Sequence, residues 1–116
     1  MKDYGTIRHR YLHDALPIRL GGLAANLLRV RSLMANARNQ PVVEGLLEET
    51  KLFIEWTAAE TDWDTAAELV ELQVLLAGWQ QAGAALWTDA TQREQTALSA
   101  QNWSERVLEL SGLLDA

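Results

Sequence analysis

The sequence predicts an all-α protein, an up-down-up-down antiparallel four-helix bundle preceded by a short N-terminal arm. Three observations predict it. Apolar residues recur in steps of three and four along four segments of about 20 to 25 residues, the spacing that makes one stripe on a 3.6-residue helix. Polar clusters with capping chemistry separate those segments, and no stretch alternates apolar and polar residues as a strand does. At 116 residues the chain suits one core, because single domains commonly hold about 100 to 150 residues.

Residues 1–15 form the arm in this reading, and residues 16–116 form the bundle. The first long helix carries Leu16, Leu20, Leu23, Leu27, Val30, Met34 and Ala37 in steps of four and three. Pro17 fits its first turn, where a missing N–H has no cost, and "RNQP" ends it. The second helix carries Val43, Leu46, Leu47, Thr50, Phe53, Ile54 and Thr57, with Glu44, Glu48, Lys51 and Glu55 on the opposite side. "ETDWDT" separates it from the third, since Asp62 and Asp64 can accept from free N–H groups and Thr65 precedes Glu68 at capping-box spacing. The third helix is expected to run unbroken through Leu69, Leu72, Leu75, Leu76, Trp79, Gly83, Leu86 and Trp87, with Glu71, Gln73, Gln80 and Gln81 outside its apolar arc. Asp89, three residues before Gln92, caps the fourth. Its expected inner stripe is Ala97, Ala100, Trp103, Val107, Leu110 and Leu114, and Gly112 loosens its end.

Composition restricts the chemistry. There is no cysteine, which removes disulfide frameworks, thiolate metal clusters and thiol nucleophiles, and makes the reducing cytoplasm the expected location. The N-terminus has scattered charges and no apolar run of signal-peptide type. The longest uncharged stretch, 72–88, contains three glutamines and two glycines and falls short of the roughly 20 apolar residues that cross a bilayer. No membrane partner is expected. The net charge of -6 is divided unevenly. Residues 1–38 hold seven of the ten bases and two of the sixteen acids, a balance of +5, whereas residues 39–116 stand at -11. The acidic body would repel phosphates, so nucleic acid is not the expected partner, and the basic third is expected to pair with its own acidic neighbours.

The stretch "RHRYLHDALP" holds both histidines of the chain, with Arg8, His9, Arg10 and His13 inside six positions. Arg8 and His13, with four residues between them, resemble the Arg-x(4–6)-His motif of the HEPN superfamily. That resemblance covers six residues and implies a metal-independent ribonuclease in which Arg8 holds a phosphate and His13 moves protons in a dimeric cleft. The family's motif normally falls late in its domain, whereas here it precedes all four long helices. His9 and His13 share a helical face if the arm is helical, but "HRYLH" has no glutamate to complete a zinc-protease motif. The chain has no Glu-x-x-His of a di-iron bundle, no Gly-x-Ser-x-Gly elbow and no phosphate loop after a strand. Its close carboxylates, such as Asp62 with Asp64 and Glu68 with Glu71, fit caps and solvated faces. No metal or cofactor is expected.

Five tryptophans are many for this length. Trp79 and Trp103 fall on core stripes, Trp56 at a stripe's edge, and Trp63 and Trp87 near the two ends of the third helix. Gly21 and Gly22 suggest a close helix crossing, with Gly78 or Gly83 expected opposite. Arg31 and Arg38 flank the first stripe, where rim ion pairs set register more than stability. The expected role is a homodimeric, non-catalytic scaffold or adaptor that meets an unidentified protein partner, with Arg8, His9, Tyr11, His13, Trp56, Trp63 and Trp87 as interaction candidates. Two other readings stand beside it: the HEPN-like ribonuclease, and a bundle that encloses a small apolar ligand between Trp79, Trp103 and the glycines.

Overall fold

The computed structural model describes residues 3–115, and among these every regular element is helical. There are six α-helices where the sequence reading counts four: α1 (Tyr4–His13), α2 (Leu16–Leu33), α3 (Gln40–Thr57), α4 (Trp63–Ala82), α5 (Ala84–Thr88) and α6 (Ala90–Ser111). Single 3-10 turns at Ala37–Asn39, Ala58–Glu60 and Leu113–Asp115 complete it.

Two differences account for the extra helices. The arm is itself a helix, started by Asp3, whose carboxylate accepts from the Thr6 N–H at 3.1 Å. The third predicted helix is broken at Gly83, which has φ 52° and ψ -129°, a backbone region open to glycine and strained for any L side chain. The chain turns there, and Leu86 and Trp87 fold inward on the separate helix α5. Periodicity missed the break because Leu86 and Trp87 keep helical spacing with Leu76 and Trp79. The first long helix also ends earlier than expected, at Leu33, so Ala37 lies in the 3-10 turn; Met34 caps it and is still buried.

The other boundaries follow local chemistry. Pro17 and Pro41 occupy the first turns of α2 and α3. Asp62 caps α4 by accepting from the Thr65 N–H at 2.7 Å, and Asp89 caps α6 through the N–H groups of Thr91 and Gln92. Thr65 therefore receives a cap instead of supplying one. Gly112, with φ 76°, ends α6 in the left-handed conformation.

Paired contacts run in opposite chain directions between α2 and α3 and between α3 and α4. Between α2 and α3, Arg19 reaches Glu60 and Asn26 reaches Thr50. Gln80 on α4 accepts from Lys51 Nζ at 2.7 Å and donates to Glu48 at 3.0 Å, while Gln73 donates to the Lys51 carbonyl. Arg106 on α6 grips Glu68 on α4 with two bonds of 2.7 and 2.8 Å. The most intimate contact, between α2 and α6, is lined by small side chains: Ala24 faces Ser104, whose hydroxyl donates to the Ala24 carbonyl at 2.7 Å, beside Ala100 and Ser111. The glycine expectation holds for Gly21, which makes room for Leu113 in the turn after α6, and is corrected for Gly22 and for the glycines expected opposite. A Cβ on Gly21 would lie 2.8 Å from Leu113 Cδ1, and Gly22 and Gly78 have nothing within 4 Å. The close crossing is thus made by alanine and serine of α6, a pattern hidden by stripe-counting that looks for large residues. Leu110 and Leu114 leave the expected stripe for partial and full exposure, and Thr96, Ser104 and Ser111 take inward places.

Candidate functional site

Helix α1 is anchored by Tyr11, its buried residue, with Ile7 and Leu12 packed against the core beside it. Its ring stacks on Phe53 with centroids 4.1 Å apart, and Trp56 tilts against both rings at 6.0 Å. The Tyr11 hydroxyl bonds Thr57 Oγ1 at 2.8 Å and the Arg19 carbonyl at 3.2 Å. Burial pushes the Tyr11 phenol up to about 12. Beside it, buried Arg19 donates to both oxygens of Glu60, at 2.7 and 3.0 Å, and to the Asp14 carbonyl at 3.0 Å. This fork satisfies a guanidinium that burial would otherwise penalise. The Arg19 hydrogen bonds hold the Glu60 carboxyl below its usual range. These groups are mutually satisfied and tie α1, α2 and α3 into one corner, so their arrangement is structural.

The candidate interaction residues divide accordingly. Tyr11 and Trp87 are buried, at 7% and 5% exposure, and Trp56 is half-buried in the aromatic cluster. The inward turn after Gly83 is what removes Trp87 from the surface. Arg8, His9 and His13 are exposed on α1. The His9 and His13 rings are neighbours at 5.2 Å. Five helical positions separate Arg8 from His13, which sets their Cα–Cβ directions about 140° apart around the axis. Among the described residues no group of three or more His, Asp or Glu is placed to hold a metal ion. No helix there is long and apolar enough to cross a membrane.

Trp63 stands apart, 92% exposed at the first turn of α4. It begins a second apolar stripe. Thr65, Leu69, Leu72 and Leu76 face the core, and on the opposite side Trp63, Ala67, Val70, Val74, Ala77 and Gln81 follow each other in steps of four and three. Val70 and Val74 are 50% and 69% exposed, and Gly78 beside them is open. The outward third of α4 carries no charge. A helix apolar on both sides is ordinarily covered on both. The sequence reading drew a single apolar arc on this helix, through its leucines, Trp79, Gly83 and Trp87; the available signal for a second was the Val70–Val74 pair, placed about 160° to 200° from Leu72.

A second such face lies on α2. Ile18, Gly22, Ala25, Leu28, Arg29 and Ser32 are its outward positions, with Ile18 51% and Leu28 48% exposed. Where α2 runs beside the start of α3, Ala25, Leu28, Arg29, Ser32, Leu33 and Val42 line an open groove of about 490 Å3. A cleft of about 500 Å3 between α2 and α6 includes Arg31, Arg93 and Glu94 and is open to solvent. Neither lies between Trp79 and Trp103, the place expected for an enclosed ligand.

No family model matches this chain, and no curated protein or solved structure matches it.

Proposed function

We propose that this chain is a non-catalytic helical scaffold that works by associating with copies of itself, the smallest assembly being a homodimer, and that presents the assembled bundle to a protein partner. In this reading the four long helices act as one up-down-up-down antiparallel bundle, with α1 and α5 as attachments. Support comes from the opposed contact directions of α2, α3 and α4, from the bonds of α6 to α2 and α4, and from the core they share. The observation that carries the proposal is the uncharged outer face of α4, led by Trp63 and continued by Val70 and Val74. Contiguous exposed apolar surface on a helix is a recognised mark of an interaction site. The cysteine-free sequence suits a reducing compartment such as the cytoplasm.

Sedimentation velocity of the purified chain tests the reading. The weight-average sedimentation coefficient should rise as concentration increases from about 1 to about 500 μM, the span over which a small interface becomes populated. A constant monomer value over that span contradicts it.

A further inference from the structure

We propose that association is head-to-tail: the outer face of α4 in one copy docks into the α2–α3 groove of a second copy. This rests on the scaffold reading and specifies which faces meet. Two largely apolar outward faces lie on different helices, and they carry charges of opposite sign. Arg29 lies within the outward surface of α2 and lines the groove, Asp64 and Glu71 flank the α4 face, and among the described residues none of the three makes a side-chain hydrogen bond or ion pair.

Charge decides between the ways two copies can pair. Joining α4 to α4 about a two-fold axis places acids beside acids, with Glu71 near the partner's Glu71 where Val70 and Val74 cross. Joining α2 to α2 places Arg29 near the partner's Arg29. Only α2 on α4 sets Arg29 against carboxylates, and like charges facing each other are what suppress wrong pairings. Shape agrees. Trp63 projects with 92% of its surface free, and the groove of about 490 Å3 receives it between Leu28 and Val42; clefts of roughly 300 to 1,000 Å3 hold whole small ligands, so one indole fits. Gly22 and Gly78 are open on the two faces and allow the backbones to approach.

The area available sets the strength. A 20-residue helix is about 30 Å long and about 10 Å wide, which offers less than the roughly 800 Å2 per partner of a standard interface. Association is therefore weak, at micromolar concentrations or above. A head-to-tail contact leaves one α2 groove and one α4 face free in every dimer, so growth continues into a ring or an open chain.

The test uses two variants of exposed positions, Leu28→Glu on α2 and Val74→Lys on α4, followed by sedimentation velocity. Each alone should weaken self-association about tenfold or more. Mixed in equal amounts they should regain association and stop at a pair, because the first variant keeps a native α4 face and the second a native α2 groove. Loss in both without recovery on mixing, or self-association undiminished by Leu28→Glu, overturns the head-to-tail contact and leaves the scaffold reading standing. A native chain that stays monomeric overturns both. Should circular dichroism show that either apolar variant is unfolded, the charge pair decides: Arg29→Glu and Glu71→Arg each weaken association and the double variant restores it. Failure of the double variant to restore it overturns the contact.

Discussion

Tyr11 shows how one side chain turns an arm into part of the core. Its ring is clamped by Phe53 and its hydroxyl by Thr57 and the Arg19 carbonyl. Changing Tyr11→Phe keeps the stack and leaves the buried Thr57 hydroxyl short of a partner, so thermal or urea unfolding should show a loss of about 1 to 2 kcal/mol. The neighbouring Arg19–Glu60 fork gives a pH signature. Glu60 and Glu68 are held below their usual value of 4.5 by hydrogen bonds from Arg19 and Arg106. Carboxyls lowered by folding stabilise above the unfolded value and lose that contribution as pH falls through the lower folded value. Urea midpoints should accordingly decline as pH drops below about 4.5, and Glu60→Gln should flatten the slope. Tyr11 acts at the other end: with its phenol raised from 10.0 to about 12, the folded chain binds the proton more tightly, and stability falls as pH rises across that interval.

At the scale of helices, small residues make the α2–α6 crossing. Ala100 is fully buried there, and a larger side chain must push the helices apart. Ala100→Leu should cost about 1 to 3 kcal/mol in denaturant unfolding, whereas Leu98→Ala, at an exposed position of the same helix, should change stability by less than about 0.5 kcal/mol. Equal small effects would show that the crossing is loose. The long helices were legible in the sequence because apolar spacing, first-turn prolines and the Asp62 and Asp89 caps agreed with one another. The break at Gly83 was not, since Leu86 and Trp87 fall on the same helical period as the residues before it and only the backbone torsion reveals the turn. The α2–α6 contact was also hidden: alanine and serine carry little hydropathy, and their value at a crossing depends on what stands opposite.

For the molecule as a whole, the sequence reading named Trp56, Trp63 and Trp87 as aromatic interaction candidates, and of these Trp63 lies exposed. Trp87 went inside with α5, and Tyr11 with α1, because burial there depends on tertiary turns. The outer faces of α2 and α4 could not be separated from core stripes by period alone, since an inward and an outward apolar row on one helix obey the same spacing. The asymmetry of charge was visible from the start. The fold places Arg29 on one apolar face, and Asp64 and Glu71 beside another. Attraction between these charges is screened by salt, so association should weaken as ionic strength rises.

The most direct measurement is a dilution series followed by amide nuclear magnetic resonance on the isotopically labelled chain. Resonances of Trp63, Val70, Val74 and Gly78 on α4, together with those of Ala25, Leu28 and Ser32 on α2, should move or broaden with concentration while those of Arg8, His9 and His13 stay fixed. Spectra that do not change on dilution, or changes confined to α1, would contradict association through the outer faces.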